Sequence, residues 1–189
     1  VKKAHKILVI RNDKLGDFML AWPALSLLKN QYPNSSITVL VPAYTEPMAK
    51  LCPWIDEILL DDHHKSLFSD ALALAQKFRH KNFDVSISLF TETRTALATF
   101  LSGIPVRIAP ATKLAQIFSN YRLRQRRSES AKPEHEYNTD LVRFFIKSQG
   151  DNPVLPQQPP YLQFDTAIVQ NLRNQYINEH NIAEDTRLI

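Results

Sequence analysis

Short runs of aliphatic residues alternate along this chain with longer stretches in which apolar residues recur every three or four positions. The first run, Ile7-Leu8-Val9-Ile10, is continuous and ends in polar residues. Similar runs predict strands over residues 6–11, 37–41, 57–60, 84–90 and a short fifth at 106–108. The intervening stretches have helical spacing, clearest at Leu67, Ala71, Leu74, Ala75 and Phe78 within 66–80. Further helices are predicted over 46–51, 93–101, 134–148 (Tyr137, Leu141, Phe144 and Phe145 inward) and 166–176. Residues 17–32 read as a helix, or as a turn followed by a helix. Pro23 belongs in the first turn of that helix, because a proline in its interior would break it. Pro33-Asn34-Ser35-Ser36 is turn chemistry, Pro42 ends the second strand, and Asp61-Asp62 close the third.

Strands that are continuously aliphatic are buried on both faces, and strands alternating with helices imply a parallel sheet. With right-handed crossovers the fold class is α/β, a doubly wound, Rossmann-like parallel sheet. After the fifth strand the pattern loosens. Residues 113–132 are basic and loop-like, 151–160 carry four prolines without periodicity, as in a linker, and Thr186-Arg187-Leu188-Ile189 look like the first residues of a strand. The predicted organisation is one domain over 1–150, then a linker, a helix and the start of another domain over 151–189. There are no internal repeats.

Composition narrows the chemistry. The chain has 189 residues and only three glycines, Gly16, Gly103 and Gly150, which excludes a G-x-G-x-x-G dinucleotide loop and a Walker A loop. Its single cysteine, Cys52, cannot form an internal disulfide and reads as a small buried hydrophobe. Lys2, Lys3 and Lys6 precede an apolar run too short for a secretory signal, and no stretch is long enough to span a membrane, so a cytoplasmic location is expected. The net charge of +4 biases the chain mildly toward anionic partners. Part of the excess is local: Lys113, Arg122, Arg124, Arg126 and Arg127 stand in a segment without a single acid. Such a run is a solvated face, a nucleic-acid patch, or a docking surface for phosphates or a membrane.

The candidate chemistry lies after the first strand. Asp17 follows Gly16 at the carboxyl end of that strand, where open α/β sheets bind their ligands. Glycine there lets the backbone bend or approach a ligand closely. Helix N–H groups favour an ionised Asp17, and such a carboxylate is a candidate general base. The competing reading makes Asp17 a helix cap. Asp61-Asp62-His63-His64 has the composition of a metal site, but adjacent loop residues rarely converge on one ion, and no metal is expected. The remaining histidines, including His5, His80 and His180, are scattered and read as solvated. A phosphorelay receiver would also place acids after its first and third strands, but Val106-Arg107-Ile108-Ala109-Pro110 lacks the lysine expected there. A nucleic-acid- or phosphate-binding module using residues 113–127 has no helix-turn-helix, zinc finger or aromatic RNA-reading motif to support it.

The ordered combination of Ile7–Ile10, Arg11, Leu15-Gly16-Asp17, Pro23-Ala24-Leu25, Tyr32-Pro33 and 37–41 resembles the amino-terminal half of the family 9 glycosyltransferases, the ADP-heptose:lipopolysaccharide heptosyltransferases and their relatives. Pro53-Trp54-Ile55-Asp56-Glu57-Ile58 and His135 match further family positions. The resemblance implies a GT-B enzyme whose amino-terminal domain holds the sugar acceptor and whose carboxyl-terminal domain holds most of the nucleotide-sugar. It implies inverting, metal-independent transfer with no cofactor, and Asp17 as the base. It also implies an acceptor side built from Asn12, Lys14, Gly16, Arg94, Lys113, Arg122 and Arg124, whose cations suit the phosphates and carboxylates of a lipopolysaccharide core or the inner leaflet of the inner membrane. The implied partners are an ADP-heptose-like donor and that core acceptor, with no nucleic acid. The family's donor-binding positions have no counterpart here, so the chain alone is expected to transfer little or nothing.

Overall fold

A computed structural model describes residues 5–62, 66–111, 114–162, 164–183 and 186. The elements run β1 (Lys6–Ile10), α1 (Leu15–Met19), α2 (Trp22–Gln31), β2 (Ser36–Val41), α3 (Glu46–Lys50), β3 (Glu57–Leu60), α4 (Leu67–Lys81), β4 (Val85–Ser88), α5 (Thr93–Leu101), β5 (Val106–Pro110), β6 (Tyr121–Leu123), α6 (Glu134–Ser148) and α7 (Thr166–His180). The strands form one parallel sheet in the order β3-β2-β1-β4-β5-β6. Ile10, the last residue of β1, is opposite Leu40 on one side and Ser88 on the other.

Chain order reverses between β1 and β4. Right-handed crossovers on either side of that reversal put their helices on opposite faces. Leu8, Ile10 and Leu40 accordingly bury against Ala71, Leu74 and Phe78 of α4 and Ala98 of α5. Strand alternation turns Ile7 and Val9 to the other face, the side of α2, which packs on α6. Both faces are dry, which is why β1 and β2 read as continuous aliphatic runs. The reversal opens a crevice at the carboxyl ends of β1 and β4, the usual ligand position in such sheets.

The sheet has a sixth strand where the sequence reads as loop. Tyr121 and Leu123 are half-buried while Arg122 is exposed, and the three residues pair with Ile108, Ala109 and Pro110. An edge strand covered on only one side needs no aliphatic run, so its signal is a mere alternation. Within α6 the inward apolar residues are Tyr137, Leu141, Val142, Phe145 and Ile146, and Phe144 is only half-buried. Leu67 begins α4 with half its surface exposed, because the first turn of the helix overhangs the core. His5 is buried rather than solvated: its ring meets Tyr32 and Phe145 edge-on, and its backbone N–H donates to Ser35 Oγ at 2.9 Å. Cys52 is buried. His63 and His64, and residues 187–189 of the anticipated final strand, lie outside the described residues.

Two compact units emerge, Val1–Gln158 and Pro159–Ile189. Residues 151–158 lack regular structure yet belong to the first unit. Val154 N–H donates to Gln31 Oε1 and Gln157 N–H to Ser26 Oγ, each at 3.0 Å, and Tyr32 Oη donates to Asp151 Oδ2 at 2.9 Å. In the second unit α7 is capped by the Asp165 carboxylate on Ala167 N–H, and Ile177 is its buried residue. Among the described residues, no helix is long and apolar enough to cross a membrane.

Candidate active site

Strand β1 delivers Arg11 directly into the crevice. The chain then passes through Asn12, Asp13 and Lys14 into α1, whose first turn contains Asp17. Lys14 occupies the cap position and makes no side-chain capping bond, and among the described residues Asp17 takes no hydrogen bond from the helix backbone, so the carboxylate is not consumed by the helix end. Its Oδ1 lies 3.4 Å from Arg11 Nη2, and its side chain is 34% exposed. That distance orients Asp17 while leaving it open to a ligand.

Arg11 is only 3% exposed and organises the site. Its Nε lies 2.9 Å from Asp13, and its Nη1 lies 2.9 Å from Glu134 and bonds the Leu89 carbonyl and Asn138 Oδ1. Glu134 begins α6 and is shared with Arg127, whose Nη1 lies 2.6 Å from the same oxygen. These groups border a cleft of about 270 Å³ lined by Arg11, Asp17, Thr91, Arg127 and Glu134, with Leu89, Phe90 and Pro110 as its apolar wall. Thr91 Oγ1 and Arg127 Nη2 are buried and have no hydrogen-bond partner among the described residues. Native proteins rarely leave such groups unmet, and here both border the cleft. Burial pushes the Asp13 carboxyl up from its ordinary value; Arg11 opposes this and the neighbouring Asp17 adds to it. Burial likewise lowers Arg127, against the pull of Glu134. Tyr44 Oη donates to the Asp13 carbonyl and fastens this loop to the segment after β2.

A second charged cluster lies at the carboxyl ends of β1, β3 and β4. Asp61 takes Arg94 through both oxygens, at 2.8 and 2.7 Å, and Glu92 takes Arg94 Nε at 3.2 Å. Asn12 Nδ2 donates to Asp61 at 2.7 Å and to Glu92 at 3.0 Å. Arg94 is 2% and Asp61 4% exposed, so this pair is closed to water, while Glu92 at its edge is 32% exposed. Burial works against the Arg94 charge, but Asp61 and Glu92 outweigh it and the guanidinium is held firmly protonated.

The anticipated site residues therefore divide. Asp17, Lys14 and Gly16 share α1 and its entry. Asn12 and Arg94 meet on Asp61 beside them. Gly16 adopts helical backbone, and a Cβ added there would meet nothing within 4 Å, so neither a sharp bend nor a close internal approach requires the glycine. Arg122 is exposed on β6 with its Nε on the Ser119 carbonyl, Arg124 lines a separate groove, and Lys113 lies outside the described residues. The His135 carbonyl accepts from Thr139 Oγ1 inside α6. Sequence reading missed Arg11, Glu134 and Thr91. Arg11 carried a signal, being a charge at the very end of an aliphatic strand, and Glu134 another, as an acid one residue after a proline at a helix start.

No family model matches the chain. A Haemophilus influenzae protein named "Putative glycosyltransferase" is 49% identical over 169 residues, covering 89% of this chain and 48% of that protein. Lipopolysaccharide heptosyltransferase 2 of Escherichia coli is 31% identical over 104 residues, covering 54% of this chain and 30% of its own length. The chain resembles the family 9 glycosyltransferases in sequence and in fold. The structure of E. coli ADP-heptose LPS heptosyltransferase II matches with a TM-score of 0.70 at 21% identity, over 95% of this chain and 52% of that one. That likeness establishes the Rossmann-like fold. The chain spans about half the length, or less, of the curated relatives it matches.

Proposed function

We propose that this chain is the acceptor-binding half of an inverting, metal-independent glycosyltransferase and that Asp17 is its general base. The observation that carries the reading is Asp17 itself: a carboxylate released from capping, oriented by Arg11 at 3.4 Å, and open to a cleft at the sheet's reversal point. In the transfer, Asp17 takes the proton of an acceptor hydroxyl as that oxygen bonds to the anomeric carbon of the donor. The carbon–oxygen bond to the nucleotide diphosphate breaks, and the leaving group departs with the electron pair. Inversion follows from this single displacement.

The names of the relatives support ADP-heptose as donor and lipopolysaccharide as acceptor. That acceptor is proposed to be engaged in its core region, met at the cytoplasmic face of the inner membrane. Lys14, Gly16 and Asn12 border Asp17 and are proposed to meet the acceptor, with Lys113, Arg122 and Arg124 farther along the chain. Arg94 joins this set through Asn12 and Asp61. The donor is held by residues outside this chain, so the isolated chain has negligible transferase activity.

Asp17→Asn, made in the protein that includes the donor-binding half, tests the assignment. Turnover of ADP-heptose onto a lipid A–Kdo acceptor is expected to fall roughly 10²–10⁴-fold, with acceptor affinity nearly unchanged. A folded variant with near-normal turnover would remove Asp17 from the chemistry. Robust transfer by the 189-residue chain alone would overturn the division of labour.

A further inference from the structure

A second cavity, about 490 Å³, lies between the end of β6 and one face of α6. Its apolar surface comes from Leu123, Ala131, Tyr137 and Phe144. Tyr137, Asp140, Phe144 and Lys147 recur at helical spacing, so a single face of α6 supplies most of that wall. Arg124, Arg126, Lys132, Arg143 and Lys147 are the cations around it, and Asp140 is the acid. Asp140 is occupied by Lys132 at 2.9 Å and Arg143 at 3.2 Å. Arg126 meets Glu129 at 3.5 Å, and both are exposed enough for solvent to screen the pair. Arg124 and Lys147 have no carboxylate within ion-pair distance among the described residues.

An apolar trough with unneutralised cations at its rim complements a ligand that carries its negative charge on an apolar stem. A free phosphate would leave the trough unfilled, and no nucleic-acid-reading motif in the sequence accompanies these cations. We propose that this groove seats an anionic phospholipid of a bilayer surface, its phosphate on Arg124 and Lys147 and its glycerol–acyl stem over Phe144. The groove and the catalytic cleft share a wall: the Arg127 guanidinium lies 5.5 Å from the Tyr137 ring centroid, and Tyr137 Oη donates to the Arg126 carbonyl at 3.1 Å. Docking here brings the cleft to the membrane plane. The inference deepens the proposed function, which already sets the acceptor at a membrane, but its test is separate, because binding to lipid requires no sugar.

Co-sedimentation with phosphatidylcholine vesicles, with and without phosphatidylglycerol, tests it. The chain is expected to bind only the vesicles containing phosphatidylglycerol. Arg124→Glu with Lys147→Glu should lower that partition about tenfold or more, from the contribution of each cation near an anionic surface. The same charge reversal on α4, Lys77→Glu with Lys81→Glu, should cost much less. Phe144→Trp should give fluorescence quenched by brominated phosphatidylglycerol, whereas Trp22 and Trp54, 2% and 6% exposed, should not respond. Failure to bind phosphatidylglycerol vesicles would overturn the proposal, as would an equal loss in the α4 variant or an unquenched Phe144→Trp. Release by millimolar inorganic phosphate at constant ionic strength would also overturn it, by reassigning the groove to a free anion.

Discussion

Two charged clusters, built from the same kinds of side chain, stand a few residues apart at the carboxyl ends of the same sheet. Around Arg94, the guanidinium is matched by Asp61 and Glu92, Asn12 donates to both acids, and the core pair is shut off from water. Around Arg11, an equally buried guanidinium holds Asp13, Asp17 and Glu134; Asp17 is a third exposed, as Glu92 is, but Thr91 Oγ1 and Arg127 Nη2, in residues that border the cleft, have no hydrogen-bond partner among the described residues. The closed cluster ties three loops together; the open one keeps unsatisfied donors beside the cleft and a carboxylate on view. Both clusters leave a buried oxygen unmet among the described residues, Asn12 Oδ1 in the closed one, but all the side-chain donors of the closed cluster are used. That satisfaction of donors, more than residue type or burial, separates a structural lock from a site prepared for a ligand.

The largest stability effect should come from breaking the closed cluster. Arg94→Ala leaves Asp61 buried without its bidentate partner, and removing one member of a buried pair costs about 3–5 kcal/mol. Urea unfolding should show that loss, and Arg94→Lys should recover only part of it, since an ammonium cannot form the fork. A loss near zero would make the two clusters equivalent.

Acidity should separate the clusters next. Asp13 has a raised folded value, so its protonated form is favoured by folding. The contribution of that proton is fully present below the ordinary value of 3.8 and is lost as pH rises through the folded value. Asp13→Asn should therefore stabilise the chain at neutral pH, with the gain vanishing below about pH 3.8. Unfolding curves at neutral pH and at pH 3.5 check this, and a gain of the same size at both would remove the linkage.

The comparison also explains what was legible in the sequence. The aliphatic runs at 7–10 and 37–41 announce buried parallel strands because both faces of the sheet are covered, and the Gly16-Asp17 pair lies where such sheets gather ligands. Strand β6 escaped because an edge strand needs only the alternation of Tyr121, Arg122 and Leu123, which three residues cannot make conspicuous. The segment from Lys113 to Arg127 read as a single basic surface, yet Arg127 turns into the cleft while Arg124 and Arg126 line the groove. Glu134 and Arg11 are 123 positions apart, and no local pattern reports a pairing that only the closed sheet creates.

The smallest stability effect is predicted at Thr91, and it probes the open cluster most directly. The hydroxyl of Thr91 is buried at 4% exposure and bonds nothing among the described residues, so Thr91→Val removes no internal hydrogen bond and keeps the branched shape. Stability should change by less than about 0.5 kcal/mol, and a modest increase is the natural direction, because an unmet polar group is taken out of the interior. If the hydroxyl is instead kept for a ligand, the loss appears on binding: acceptor affinity, measured by titration calorimetry, should fall by about 1 kcal/mol, the net worth of one neutral hydrogen bond. Asn12→Ala, in the closed cluster, should instead show a clear stability loss, because Asp61 and Glu92 both lose a donor. A Thr91→Val chain that loses stability as Asn12→Ala does would mean that the hydroxyl serves the fold, and the distinction between an open and a closed cluster would collapse at that residue.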